Sequence, residues 1–101
     1  MYISSQKFRD DEIVSKKRDA KDYVVSVSPE FEVDGVFMQT VMDGHHSFQA
    51  ALLDGVNPVF VVQNATMNDS VLLLQKSVDL FLEATFMGDD WYDFQSGANC
   101  F

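Results

Sequence analysis

The chain has 101 residues, 47% of them hydrophobic, and a formal net charge of −9. That length holds one domain with a single core, and nine phenylalanines exclude a disordered tail. The charge excludes direct duplex DNA binding through the body of the domain, because such a surface repels phosphate backbones.

The charge is unevenly placed. Residues 1–22 carry six Lys or Arg against five Asp or Glu, a balance of +1, whereas the other 79 residues carry Lys76 against eleven acids, a balance of −10. A lone cysteine, Cys100, makes no internal disulfide and suits a reducing compartment. The opening Met1-Tyr2-Ile3-Ser4-Ser5-Gln6-Lys7 lacks the apolar stretch of a signal peptide, and no run reaches membrane-spanning length. The expectation is a cytoplasmic protein without membrane association.

Three stretches divide the single domain: a charged helical region over 1–22, a core over 23–63, and a C-terminal helix with an acidic, aromatic tail over 64–101. The first helix is predicted from Phe8 to Lys21, anchored by Ile13 and Val14, with its basic side chains on a solvated face. Tyr23 to Ser28 reads as a strand that Pro29 ends, since proline has no amide to donate. Phe31-Glu32-Val33 and Val36-Phe37-Met38 flank Asp34-Gly35, a strong hairpin signal.

The strand continues through Val41 to Asp43-Gly44, where a short helix opens with Phe48, Ala51 and Leu52 on one face. Gly55 closes it in a left-handed cap, and Pro58-Val59-Phe60-Val61-Val62 returns as a strand reached by a helical crossover. The segment Asn64-Ala65-Thr66-Met67-Asn68-Asp69 is rich in capping residues, and a longer helix is predicted from about Ser70 to Phe86. Gly88 stops that helix. In the tail, Asp89, Asp90 and Asp93 alternate with Trp91, Tyr92 and Phe94. The aromatics read as a lid over one end of the core, and as a partner-binding strip for an arginine-rich groove in the rival reading. Residues 95–101 read as loosely held.

The corner at Asp43 to Ser47 is the candidate site. The first amides of a helix lack partners and carry the positive end of its dipole, which suits an anion. Gly44 lets a ligand approach the backbone closely. Asp43 either caps the helix or holds a metal or ligand hydroxyl, and His45 and His46 are biased toward neutral imidazole. Two histidines and a remote cysteine are too few for a zinc centre.

The run Asp43-Gly44-His45-His46-Ser47-Phe48-Gln49-Ala50-Ala51, followed by Gly55 and Pro58-Val59, resembles the signature of the ParB N-terminal domain and sulfiredoxin superfamily. The resemblance implies a small α+β domain with a mixed sheet of about four strands, a short helix after the Asp43-Gly44 turn and a longer C-terminal helix. It also implies a pocket derived from a nucleotide or phosphate site, with Asp43, Gly44, His45, His46 and Ser47 on the ligand. The ligand would be a nucleotide with magnesium, and His45 or His46 the general base if catalysis is retained. Two positions differ. Members of the family carry arginine where this chain has Ser47, and sulfiredoxins carry their catalytic cysteine at the position of His45. Whether the chain is an enzyme stays open.

A rival class uses the acidic surface: a non-enzymatic interaction or inhibitor protein of phage or plasmid type. It would mimic nucleic acid on a basic partner protein, through Asp89, Asp90, Trp91, Tyr92 and Asp93.

Overall fold

The computed structural model describes residues 1–66 and 68–101. Met67, inside the capping-rich 64–69 segment, lies outside the described residues. The chain forms an α+β domain in which, among the described residues, six strands build one mixed sheet and four helices cover it.

The strands are β1 (Tyr2–Ser4), β2 (Val24–Val27), β3 (Phe31–Val33), β4 (Val36–Asp43), β5 (Val59–Val62) and β6 (Tyr92–Asp93). The helices are α1 (Asp11–Asp19), α2 (His45–Asp54), α3 (Val71–Leu74) and α4 (Val78–Ala84), with a 3₁₀ turn at Asn68–Ser70 before α3. The order across the sheet is β5-β2-β4-β1-β6, with β3 beside β4. Strand β4 is the organiser: its start pairs with β3, its middle runs parallel to β1, and its end runs antiparallel to β2.

The hairpin forms at Asp34 and Gly35, whose φ values of 50° and 81° are the two positive angles that a tight primed turn needs. Helix α2 leads from β4 across β2 to β5, which lies beyond β2 and runs parallel to it, with Val24 opposite Val59. The sheet has six strands instead of about four. The two additions, β1 and β6, are three and two residues long; β1 pairs with β4, and β6 pairs with β1 from the other end of the chain. Segments so short carry no alternation to read.

Side chains alternate across β1, so Tyr2 and Ile3 enter different cores on opposite faces of the sheet. Tyr2 packs with Val25, Val27, Val41, Phe48, Phe60, Tyr92 and Phe94 on the α2 side. Ile3 packs with Phe31, Met38 and Phe81 on the α3–α4 side, where Trp91 and Leu82 close in. Helix α1 starts at Asp11 and not at Phe8, because the Asp10 carboxylate accepts from the amides of Glu12 and Ile13 at 2.9 and 3.3 Å. Its sole buried residue is Val14; Ile13 stays exposed. Asp54 at the end of α2 accepts from Arg18 Nε and Tyr23 Oη, both at 2.7 Å, tying α1 and α2 to the start of β2.

The long C-terminal helix is the second correction. It breaks into α3 and α4 at Lys76, which sits at φ 57°. The amide of Lys76 donates to Leu73 O and that of Ser77 to Leu72 O, at 3.1 and 2.9 Å, which closes α3 in a Schellman motif. The break resets the helical phase. Leu72 and Leu73 turn toward the core from α3, and Val78, Phe81 and Leu82 from α4, so Val71 and Leu74 are left exposed. Residues 95–101 are also held: Cys100 N donates to Trp91 O at 2.9 Å and Tyr92 bridges Asn99. Lysine in the left-handed region is strained where glycine is not, so Lys76→Gly should raise unfolding free energy by about 0.5–1 kcal/mol. Urea denaturation checks this.

Candidate functional site

The corner between β4 and α2 depends on Gly44. Its φ is 87°, and a Cβ there would lie 2.6 Å from Val24 O and 3.1 Å from Val25 Cα. The backbone of residue 44 therefore rests directly on β2, and only glycine fits both the angle and the contact. Asp43 does not cap the helix. Its Oδ1 accepts from the adjacent Gly44 amide at 2.8 Å, Gly44 itself occupies the cap position, and no side chain caps α2. The first intrahelical bond runs from Phe48 N to Gly44 O at 2.8 Å, leaving the amides of His45, His46 and Ser47 ahead of the ladder.

The two histidines point to different neighbours. His45 is 7% exposed, and its Nε2 lies 2.8 Å from the Ser4 hydroxyl on β1. Its ring lies 5.9 Å from that of Phe94. Burial first, and the nearby Arg9 charge second, lower its pKa to about 4; His46 adds to the lowering and Asp43 opposes it. His46 is half-buried, and its Nε2 accepts from the Asp10 amide at 3.2 Å, joining α2 to the start of α1. Both Nε2 atoms are thus engaged by the protein. Ser47 is buried.

These residues meet in a cleft of about 310 Å³ lined by Gln6, Lys17, Asp43, Gly44, His45, His46 and Ser47. All five residues expected from the sequence at this corner line it. Gln6 and Lys17 were not expected. Lys17 is shared with Asp22, whose carboxylate it meets at 3.0 Å; that contact, followed by the Val24 amide, holds the Asp22 carboxyl below its usual value. The signal for Lys17 in the sequence is the crowding of cations into residues 1–22. Among the described residues no group of three or more His, Cys, Asp or Glu comes together as a metal cage, and Asp43 is the one carboxylate lining the cleft.

The tail divides between inside and outside. Tyr92 and Phe94 are buried and Trp91 half-buried, so the aromatic side chains form a lid on the two cores. Asp89 and Asp90 are exposed, with Asp89 Oδ2 accepting from Lys7 N at 2.8 Å. Asp93 is half-buried and closes a turn by accepting from Gln95 N and Ser96 Oγ at 3.1 and 2.9 Å.

No family model, curated protein or solved structure matches this chain. Among the described residues, no helix is long and apolar enough to cross a membrane.

Two measurements test this account of the corner. Gly55 has φ 66° and open space around a would-be Cβ, so Gly55→Ala should cost about 1 kcal/mol from backbone strain alone. Gly44→Ala adds the clash with β2 and should cost at least about 2 kcal/mol more by urea denaturation. The second test is pH. The unfolded chain protonates His45 below about 6.5, while the folded chain keeps it neutral down to about 4. The stability due to neutral His45 is therefore complete above pH 6.5 and is lost as pH falls toward 4, by about 3 kcal/mol in total. His45→Gln should remove this component, so the difference between the two proteins' stability–pH curves isolates it.

Proposed function

We propose that the chain is a ligand-binding domain of ParB/sulfiredoxin-like type whose corner cleft receives the phosphate group of a nucleotide. The observation that carries the reading is the uncapped start of α2, opening into a cleft together with Lys17. The ten residues of α2 are long enough for a substantial dipole. At about 310 Å³ the cleft is at the small end of ligand pockets, roughly 300–1,000 Å³, which suits enclosing the phosphate end and leaving the rest of the ligand outside.

The cation supplied by arginine in the resembling family comes from another element here. Ser47 is buried, and Lys17 of α1 lines the same cleft. Magnesium fits one residue of the cleft: Asp43 is exposed, and its Oδ2 is left over by the Gly44 bond, so it would hold the ion together with phosphate oxygens. The ion would neutralise phosphate charge beside an acidic residue. Because Ser4 and Asp10 engage both imidazole Nε2 atoms, the reading is of binding without turnover. The interaction-protein reading has less support, since Trp91 and Tyr92 are committed to the cores and Asp89 and Asp90 remain as its outward groups.

Calorimetry with CTP, ATP and their diphosphates, with and without magnesium, tests the proposal. Saturable binding is expected for at least one nucleotide, weakened about tenfold by Lys17→Gln, equivalent to about 1.4 kcal/mol. No heat with any of them overturns it.

A further inference from the structure

A second cavity, of about 320 Å³, is lined by Lys7, Arg9, Gln49, Tyr92, Phe94 and Gly97. It shares no lining residue with the corner cleft, although the segment Gln6–Arg9 contributes to both. Its two cations are anomalous in so acidic a chain. The ion pairs among the described residues use Lys16, Lys17 and Arg18, so neither the Lys7 ammonium nor the Arg9 guanidinium has a carboxylate within 4.0 Å, although Asp89 accepts from the Lys7 backbone amide at 2.8 Å.

Arg9 is half-buried, and its contacts are with neutral groups. Nη1 donates to Gln6 O and Phe8 O at 3.0 and 2.7 Å, Nη2 donates to Tyr92 Oη at 2.7 Å, and the guanidinium lies 4.5 Å from the Phe94 ring centroid. Its Nε is buried without a partner. Lys7 Nζ sits 5.6 Å from the centroid of the Tyr92 ring, so two like charges converge on one tyrosine. Cation–π contacts offset part of the cost of placing them there and leave the positive charge uncancelled. Lys7 is exposed and hydrated, so the charge that the fold shields from water without supplying an anion is that of half-buried Arg9.

We infer that this cavity is a binding site for a small carboxylate-bearing molecule with a planar or aromatic body, held by Lys7 and Arg9. The donors available match two oxygens. Nη2 of Arg9 keeps one N–H beyond the one given to Tyr92, Lys7 has its ammonium protons, and the Gln49 side chain adds an amide. Tyr92 and Phe94 line the cavity through the small part of each ring that stays exposed, beside the two cations that sit over them. The two oxygens of a carboxylate use the donors present, and a phosphate would bring more oxygens than those donors serve. The site stands apart from the nucleotide reading, which uses α2 amides and Lys17.

The test is a nitrogen–proton NMR titration of the full chain with benzoate, acetate and inorganic phosphate at matched ionic strength. Benzoate is expected to give saturable shifts at Lys7, Arg9, Gly97 and the Gln49 side chain, with acetate weaker. Lys7→Gln, at an exposed position, should weaken benzoate binding about tenfold while leaving the rest of the spectrum unchanged. The same variant should leave nucleotide binding intact, so failure at one site is read separately from failure at the other. Absent or unsaturable shifts, unchanged affinity in Lys7→Gln, or tighter binding of phosphate than of benzoate would each overturn the assignment.

Discussion

The contact between the Gly44 backbone and the carbonyl of Val24 governs the rest of the structure. A side chain at residue 44 would meet that oxygen at 2.6 Å, so the chain turns out of β4 and into α2 only because none is present. Pressed onto β2 in this way, α2 places His45 inward against Ser4 of β1 and His46 outward against Asp10 of α1. One glycine thus aligns three segments far apart in sequence. The uncapped helix start follows from the same geometry, because a glycine in the cap position has no side chain to offer the first amides. The histidine contacts and the uncapped helix start share one cause.

The charges are organised around that corner. All but one of the basic residues lie in the first 22 positions, where the sequence suggests a solvated helix face. Three of them behave as such: Lys16 pairs with Glu12 on the surface, Arg18 ties α1 to Asp54, and Lys21 is exposed at the helix end. The other three line cavities, Lys17 at the corner and Lys7 with Arg9 beneath the tail. Lys17 lines its cleft while paired with Asp22 at 3.0 Å, whereas the side-chain charges of Lys7 and Arg9 have no carboxylate partner among the described residues.

Much of the core was legible in the sequence because its signals are local. Asp34-Gly35 can take two positive φ angles, Gly55 can end a helix, and Val59 to Val62 can do little but pair, so each element declares itself within a few residues. The missing pieces are those whose cause lies elsewhere in the chain. Tyr2–Ser4 is a strand because Gln39 and Thr40 offer it an edge, and Tyr92–Asp93 is one because β1 then offers another. Lys76 hid the break between α3 and α4, since a lysine in the left-handed region is set by the packing of Leu72, Leu73 and Phe81 and not by its own preference. At the site, the Asp43–Ser47 run was visible as turn chemistry. Lys17, Gln6 and Ser4 were not, because only the tertiary fold brings them to it.

The two histidines also separate binding from chemistry. A general base needs a lone pair directed at the reacting group and a pKa near the working pH. His45 is enclosed, bonded through Nε2 to Ser4, and neutral down to about pH 4. His46 gives its Nε2 lone pair to the Asp10 amide, and Asp10 in turn caps α1, so swinging the ring toward a ligand would uncouple the helix that delivers Lys17. In the proposed reading, an anion at the α2 amides leaves both histidine contacts in place.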